Sequence, residues 1–334
     1  MRRFERLVFA AGVLLFAALV YRIGPERIGR QLLEVGWGFL AVLALSALPL
    51  LANALSWREL LPGGRRLPVR TMARMLVSGE AVNAVSPVGV VGGELVRLSQ
   101  LSEHFPAEDA AASVAMAAMA QFAGQIVFIV SGLPLAMTLL PGEAWRRGLL
   151  AFAAVLLLLL AVVLSLAWSQ TVRAQAASVL RRVPSARRLV ARVPETWRAA
   201  GSEMLAALRA RPHRFGAAAG LSLLAWQVGA VETWLVLRLL GSPVGAAAAY
   251  ALEVLAVAIE GIFFFVPAKI GTQEGGKVLI FLAAGLDPSK GFTLGLVRRL
   301  REQFWAVIGL ALLGSRPRRR LPRATPARAV IPRG

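Results

Sequence analysis

The sequence predicts an all-α polytopic membrane protein, with about six full spans and two opposed re-entrant hairpins arranged as an inverted repeat. Three observations support this prediction. Hydrophobic residues make up 57% of the 334 residues and the mean hydropathy is +0.65, which exceeds what a soluble chain can bury. Several apolar runs approach the length of a membrane helix. Two regions rich in proline and glycine share one pattern of charged residues.

The apolar runs are long enough, with help from flanking residues, to form membrane helices. They lie at 7–20, 37–55, 111–131, 148–168, 216–240, 246–267 and 291–313. The run at 246–267 is the first arm of a predicted hairpin, and the other six are predicted to cross the bilayer fully. Together they form one predicted membrane domain over 1–315, followed by a disordered basic tail at 316–334.

Arginine counts predict the orientation, because basic loops stay on the cytoplasmic side. The segment 169–214 carries ten arginines, 315–334 carries seven and 57–74 carries five. We therefore expect both termini in the cytoplasm of a bacterium, with the loops 22–36 and 132–146 outside the inner membrane. The arginines of 169–214 are expected to lie against anionic lipid headgroups.

A parity argument predicts a hairpin at 69–101. The spans 111–131 and 148–168 must start and finish in the cytoplasm, so 69–101 has to cross the membrane either twice or not at all. Two short spans or one re-entrant hairpin would satisfy this condition. Pro87 and the glycines beside it favour the hairpin, because they would interrupt a helix near the middle of the membrane.

The charge pattern of this hairpin recurs 180 residues later, as E-x6-P-x6-E-x2-[R/K]. The two copies are Glu80, Pro87, Glu94 and Arg97, then Glu260, Pro267, Glu274 and Lys277. The repeat units, about 37–131 and 217–313, would begin on opposite sides of the membrane. Inverted repeats of this kind are typical of transporters, with the substrate site between the units. The broken tips of the hairpins would then face each other.

The charged residues of the hairpins have two interpretations. Glu94 and Arg97 lie three residues apart and can pair on one helical face, and Glu274 and Lys277 have the same spacing. Each pair could simply be neutralised and lock its hairpin. Alternatively the pairs, with the preceding glutamate of each copy, form a polar cavity that handles a charged headgroup or a proton, because ionisable groups in a membrane are costly.

The last span contains a second charged group. Arg298 and Arg301 share a helical face with Glu302, while Arg299 points elsewhere. These arginines could reach the outer interface, but too few residues remain before Gly314 for a full crossing. We therefore favour a cluster that reaches into a cavity and binds an anion such as phosphate through bidentate hydrogen bonds.

Other function classes find no support in the sequence. The absence of cysteine excludes disulfides and thiolate metal sites. The net charge of +20 is concentrated between spans, and no nucleic-acid-binding motif accompanies it. No catalytic motif, phosphate-binding loop or metal-ligand spacing is present. We therefore expect neither enzyme activity nor a cofactor. Glu232 and Glu253 are expected in the membrane without an identifiable partner.

Two stretches resemble the signature regions of the lysylphosphatidylglycerol synthase/flippase integral membrane family. They are SPVGVVGGELVRLSQL and VPAKIGTQEGGKVLIFLAAGLDPSKGFTLGLVRRLREQFW, and the second is similar to the hopanoid-biosynthesis-associated branch. The resemblance implies lipid translocation. The matching positions are Glu94, Arg97, Glu274, Arg298 and Arg301. Val91 departs from the pattern, where a glycine is common. The chain ends about twenty residues after its last span, so we expect no synthase domain.

The sequence thus predicts a transporter that moves a polar-headed lipid, either a phospholipid or a hopanoid, between leaflets. Two alternatives stay open: a non-transporting membrane scaffold for lipid biosynthesis, and an ion-coupled transporter of a small solute. The expected partners are the lipid itself and, left open, a second copy of the chain or lipid-biosynthetic enzymes.

Overall fold

A computed structural model describes residues 3–85, 90–140, 142–169, 178, 195–263, 266 and 269–315. In these ranges the chain forms twelve α-helices and no strand, which confirms the all-α prediction. They are α1 (Arg3–Ile23), α2 (Pro25–Val35), α3 (Gly38–Glu59), α4 (Val69–Val85), α5 (Val90–Leu101), α6 (Ala107–Leu139), α7 (Glu143–Trp168), α8 (Glu195–Ala210), α9 (Pro212–Leu239), α10 (Ala246–Ile262), α11 (Thr272–Ala283) and α12 (Pro288–Gly314). The predicted tips Pro87 and Pro267, the tail 316–334 and most of 170–194 lie outside the described residues.

Four of these helices, α3, α6, α7 and α9, are long and apolar enough to cross a membrane. A fifth crossing is available if α1 and α2, which meet at 87°, count as one bent span. The chain is therefore an integral membrane protein. The predicted number of six full spans stays a prediction. The helix α12 is not among the candidates, and four of its residues between 298 and 302 are charged.

The prediction of loops at 22–36 and 132–146 is wrong, because both segments are largely helical. The segment 22–36 contains α2, which Pro25 begins at a position where its missing N–H costs nothing. Ile28, Gln31 and Val35 are buried at helical spacing, so one face of α2 packs on the domain. The segment 132–146 is mostly the end of α6, which continues through Pro134 to Leu139.

The two predicted hairpins have matching helix lengths. Helices α4 and α10 have 17 residues each, and α5 and α11 have 12 each. At about 1.5 Å per residue, the longer arm rises roughly 26 Å, which is less than the hydrocarbon core of about 30 Å. In the first hairpin Gly93 N donates to Asn83 Oδ1 at 2.7 Å and Arg97 donates to Glu80 at 2.5 Å. The pairing order shows that α4 and α5 run antiparallel.

The two repeat units exchange partners. Helix α4 of the first unit packs on α12 of the second, and α10 of the second packs on α6 of the first. Helices α3 and α9, the first of each unit, pack extensively on each other. These two contacts are reciprocal, as a two-fold relation between the units predicts. The opposite orientation of the units in the membrane stays a prediction.

Glycines permit close backbone contact at both hairpins. A Cβ atom on Gly93 would overlap the carbonyl oxygen of Gly79, so these glycines bring α4 and α5 together. Gly271 lies at φ 76° and packs directly on the carbonyl oxygen of Gly12. A residue with a side chain would be strained at Gly271 and would also clash there. The contact fixes α1 against the start of α11.

Candidate functional site

Charged side chains gather in two clusters, one within the first hairpin and one where the second hairpin meets α9 and α12. The first cluster consists of Glu80, Glu94 and Arg97 on α4 and α5. The second cluster combines residues from the four helices α9, α10, α11 and α12 with one residue from the segment that precedes α11. Its members are Glu232, Glu253, Glu260, Lys269, Glu274, Lys277, Arg298, Arg299, Arg301 and Glu302.

In the first cluster one cation serves two carboxylates. The buried Arg97 donates to Glu94 at 2.6 Å and to Glu80 at 2.5 Å. The predicted local pair of Glu94 and Arg97 is thus confirmed, and Glu80 joins it from the facing arm. The side chain of Glu80 is 61% exposed and that of Glu94 is 29% exposed. These two carboxylates therefore form the open side of the cluster.

At the equivalent point of the second hairpin one carboxylate serves two cations. Glu260 accepts from Lys277 at 2.9 Å and from Lys269 at 3.3 Å. The bond from Lys277 to Glu260 joins the same repeat positions as the bond from Arg97 to Glu80. The bond between residues 80 and 97 in the first hairpin therefore corresponds to the bond between residues 260 and 277 in the second. The first hairpin joins two carboxylates through one cation, whereas the second joins two cations through one carboxylate.

The predicted local pair of Glu274 and Lys277 is wrong. Glu274 accepts from Arg299 of α12 at 2.5 Å and from the Gly271 backbone N–H at 3.1 Å, which caps the start of α11. Lys277 instead reaches across the hairpin to Glu260. The reason is competition: each partner on a neighbouring helix replaces the interaction that the local spacing would allow.

Arg298 does not form the predicted open anion site, because both of its terminal nitrogens already donate to groups of the protein. It binds Glu253 in a bidentate pair, with distances of 2.9 and 2.6 Å, and also donates to Thr233 Oγ1 at 2.9 Å and to the Gly229 carbonyl oxygen at 3.0 Å. Gly229 makes this arrangement possible, because a Cβ atom there would lie 2.9 Å from a Glu253 oxygen. Bidentate pairing of this kind is strong and specific in orientation.

Arg301 pairs with the fully buried Glu232 and approaches Glu302 at 3.7 Å. A side-chain oxygen of Glu232 also lies 3.7 Å from Arg298 Nε, and both of these atoms are buried without a hydrogen-bond partner. Glu232 and Glu253 are therefore the partners that the sequence did not identify. A charge count would have indicated them: two lone acids in apolar helices match the excess of arginines between 298 and 301.

Lys269 connects the two clusters. The charges of Glu260, Glu302 and Glu80 all act on it, so the open side of the first cluster lies within electrostatic reach of the second hairpin. Lys269 is also the only described non-glycine residue with positive φ, at 50°, which marks a strained backbone typical of functional sites. Its side chain is 47% exposed and that of Glu302 is 42% exposed. We call Glu80, Lys269 and Glu302 the exposed edge.

The structure therefore brings together every predicted site residue that it describes, and only Pro87 and Pro267 lie outside the described residues. Across the described part of the chain, no group of three histidine, aspartate or glutamate side chains has a geometry that could hold a metal ion.

Comparison with known proteins gives one match. Residues 5–311 match the family model described as lysylphosphatidylglycerol synthase TM region. No curated protein and no solved structure matches the chain significantly.

Proposed function

This chain belongs to the lysylphosphatidylglycerol synthase TM-region family, and on that premise we propose that it moves a polar-headed lipid, a phospholipid or a hopanoid, between the two leaflets of the bacterial inner membrane. Membership in the family indicates a membrane protein involved in lipid handling. The proposal adds transport as the activity and excludes any chemical change to the lipid.

The exposed edge is the observation that supports transport best. A lipid that changes leaflet must carry its polar headgroup through the hydrocarbon core, where unsatisfied polar groups cost several kcal/mol each. Glu80, Lys269 and Glu302 place exposed charges of both signs on the two hairpins and on α12. These charges can replace the hydration of a headgroup, while the acyl chains stay in the surrounding lipid.

Headgroup binding would exchange ion pairs rather than fill an empty site. Lys269 is held by Glu260 at 3.3 Å, the longer of the two bonds that Glu260 accepts from lysine. A phosphate oxygen can take the place of Glu260 at Lys269, because Glu260 keeps its bond to Lys277. Hydroxyl or amino groups of the headgroup can donate to Glu80. The pairs deeper in the second cluster hold the helices in place during this exchange.

The experiment is lipid exchange in vesicles that contain the purified full chain. Fluorescent lipids labelled on an acyl chain report exchange when an impermeant quencher reaches them from outside. We expect exchange well above that of protein-free vesicles. Lys269→Gln should lower the rate about ten- to a hundredfold, because a hydrogen bond to a charged group contributes about 1.5–3 kcal/mol.

The matched control is Arg147→Gln on α7, which removes a positive charge outside both clusters. The side chain of Arg147 is 80% exposed and pairs with Glu143. This variant should exchange lipid at the wild-type rate. Vesicles with the folded protein that show no exchange above background would overturn the proposal. A scaffold for biosynthetic enzymes would then be tested by co-purification, and an ion-coupled solute transporter by solute uptake into the same vesicles.

A further inference from the structure

The two clusters together carry one negative charge in excess. Seven carboxylates belong to them, and six lysine and arginine side chains face these carboxylates. The second cluster is balanced, with five acids and five bases. The excess therefore lies in the first cluster, where Arg97 alone is bonded to Glu80 and Glu94 in the described structure. An unbalanced charge in a membrane-embedded cluster is costly.

We propose that the first cluster binds and releases one proton at Glu94, and that this proton drives lipid transfer. The proposal rests on the proposed function, since it names the energy source of the same site. Two carboxylates that share one site favour a state in which one of them holds a proton. On binding, the proton joins a carboxylate oxygen of Glu94 and makes it neutral; on release, the carboxylate returns and the proton passes to water.

Geometry assigns the proton to Glu94 rather than to Glu80. The side chain of Glu94 is 29% exposed and that of Glu80 is 61% exposed. Glu94 therefore has less solvent to stabilise its negative charge, and it is the carboxylate that takes up the proton. Glu80 approaches Arg97 at 2.5 Å from α4 and also experiences the positive charge of Lys269. Helix α6, which also packs on α5, carries no charged residue after Asp109. Glu80 and Arg97 are thus the charged groups that act on Glu94.

A buried polar track continues from this cluster along α5. Both polar side-chain atoms of Gln100 are buried without a hydrogen-bond partner, as is Nε of Arg97. Arg97 and Gln100 lie three residues apart, so they share the helical face that runs toward Leu101, the last residue of α5. Buried groups of this kind are normally satisfied by internal water, and water along this face would carry a proton to the end of the hairpin.

In the described part of the second hairpin, α11 does not continue the polar face at the equivalent position. The position that corresponds to Gln100 is Ile280, which is buried and apolar. Among the described residues, a buried polar side chain therefore follows the cluster toward the end of α5 but not toward the end of α11, where the buried Gln273 precedes Glu274 instead. This asymmetry is the second, independent observation, because it does not depend on the charge count.

The first test is the response of lipid exchange to a pH gradient across vesicles that contain the full chain. With one proton coupled to each lipid, a gradient of one pH unit should bias the distribution of labelled lipid between leaflets by up to about tenfold. Glu94→Gln cannot take up the proton and should abolish this bias. Glu143→Gln on α7 is the matched control and should keep it. Wild-type exchange without any bias would overturn the inference and leave the proposed function intact.

The second test does not require transport. Infrared spectra of the purified full chain, recorded near neutral pH where exposed carboxylates are ionised, should contain a carboxylic-acid band that is absent in Glu94→Gln and shifted in Glu94→Asp. If lipid exchange fails at every pH while this band is present, the proposed function is overturned and the proton site stands. The absence of the band from the folded wild-type chain would overturn the proton site, even if a variant at position 94 fails to fold.

Discussion

The two hairpins share their helix lengths and the spacing of their charged residues, yet their charge arrangements are opposite. In the first, Arg97 binds the carboxylates of Glu80 and Glu94. In the second, Glu260 binds the ammonium groups of Lys269 and Lys277. A repeated backbone therefore does not imply a repeated role, because a few substitutions at equivalent positions change how many charges of each sign meet in the hairpin.

Burial separates the hairpins further. The second is connected to α9 and α12 through a network in which Glu232, Glu253 and Glu274 are almost fully buried. The first cluster involves α4 and α5 alone, and both of its carboxylates are partly exposed. We therefore expect substitutions at the buried members of the second cluster to lower the stability of the fold, and substitutions in the first cluster or at the exposed Lys269 to change transport.

The largest expected effect comes from removing Arg298. Arg298→Met leaves the carboxylate of Glu253 buried without its bidentate partner, and breaking a buried pair of this kind costs about 3–5 kcal/mol. Thermal unfolding in detergent, followed by tryptophan fluorescence, should show a large drop in Tm. Adding Glu253→Gln should recover part of the loss. A Tm equal to that of the wild type would contradict the structural role of the second cluster.

A smaller loss is expected at Glu274, which has two functions that can be separated. Glu274→Gln keeps an oxygen that can accept from the Gly271 backbone N–H but removes the charge that binds Arg299. Glu274→Ala removes both interactions. We expect each interaction to contribute about 1–3 kcal/mol, so Glu274→Ala should unfold at a lower temperature than Glu274→Gln. Equal Tm values for the two variants would show that the cap contributes nothing.

The smallest effect is expected at Asp287, where α2 is joined to the second unit. Asp287 caps α12 by accepting from the backbone N–H of Ser289 at 3.0 Å and from its hydroxyl at 2.7 Å, and it pairs with Arg27 at 2.7 Å. Desolvation by itself raises the pKa of Asp287. The hydrogen bonds from Ser289 and the positive charge of Arg27 outweigh this effect, so the pKa of Asp287 is lowered.

Because this pKa is lower in the folded state, the contribution of Asp287 is present above the unfolded value, near pH 4, and is lost as the pH falls through the folded value. Asp287→Ala should therefore lower the free energy of unfolding by about 1 kcal/mol at pH 7. The difference between variant and wild type should shrink as the sample is acidified. A difference that stays constant down to pH 3 would contradict this assignment.

The sequence predicted the parts of the site that depend on short spacing. Charges repeated 180 residues apart located both hairpins, and the three-residue spacing predicted the bond from Arg97 to Glu94. The same rule gave a wrong partner for Glu274, because Arg299 on α12 is closer in the folded chain. Pairs such as Arg298 with Glu253 join helices distant in sequence, so they depend on packing that no local pattern records.

The helices of the fold, like the site, were only partly predicted from the sequence. The apolar length of α3, α6, α7 and α9 was sufficient to predict membrane helices. Helix α2 was missed because its charged residues resemble those of a loop, although its buried Gln31 donates to Ser289 Oγ at 2.8 Å and accepts from Thr293 at 2.5 Å. The 11 residues of α2 do have a helical periodicity, with Ile28, Gln31 and Val35 on one buried face, so the period of the pattern would have predicted this helix where apolar length did not.

The central claim is that the first cluster supports transport and the buried part of the second cluster supports stability. The most direct test compares Arg97→Gln with Lys277→Gln, because Arg97 and Lys277 lie at equivalent positions of the repeat. Lipid exchange and Tm are measured for both variants in the same preparations. We predict that Arg97→Gln abolishes lipid exchange and lowers the Tm less than Lys277→Gln does, because Glu80 and Glu94 are 61% and 29% exposed whereas Glu260 is 20% exposed. Lys277→Gln should lower the Tm clearly, because the side chain of Lys277 is 2% exposed and balances Glu260. Equal effects of the two variants on both exchange and Tm would contradict the account.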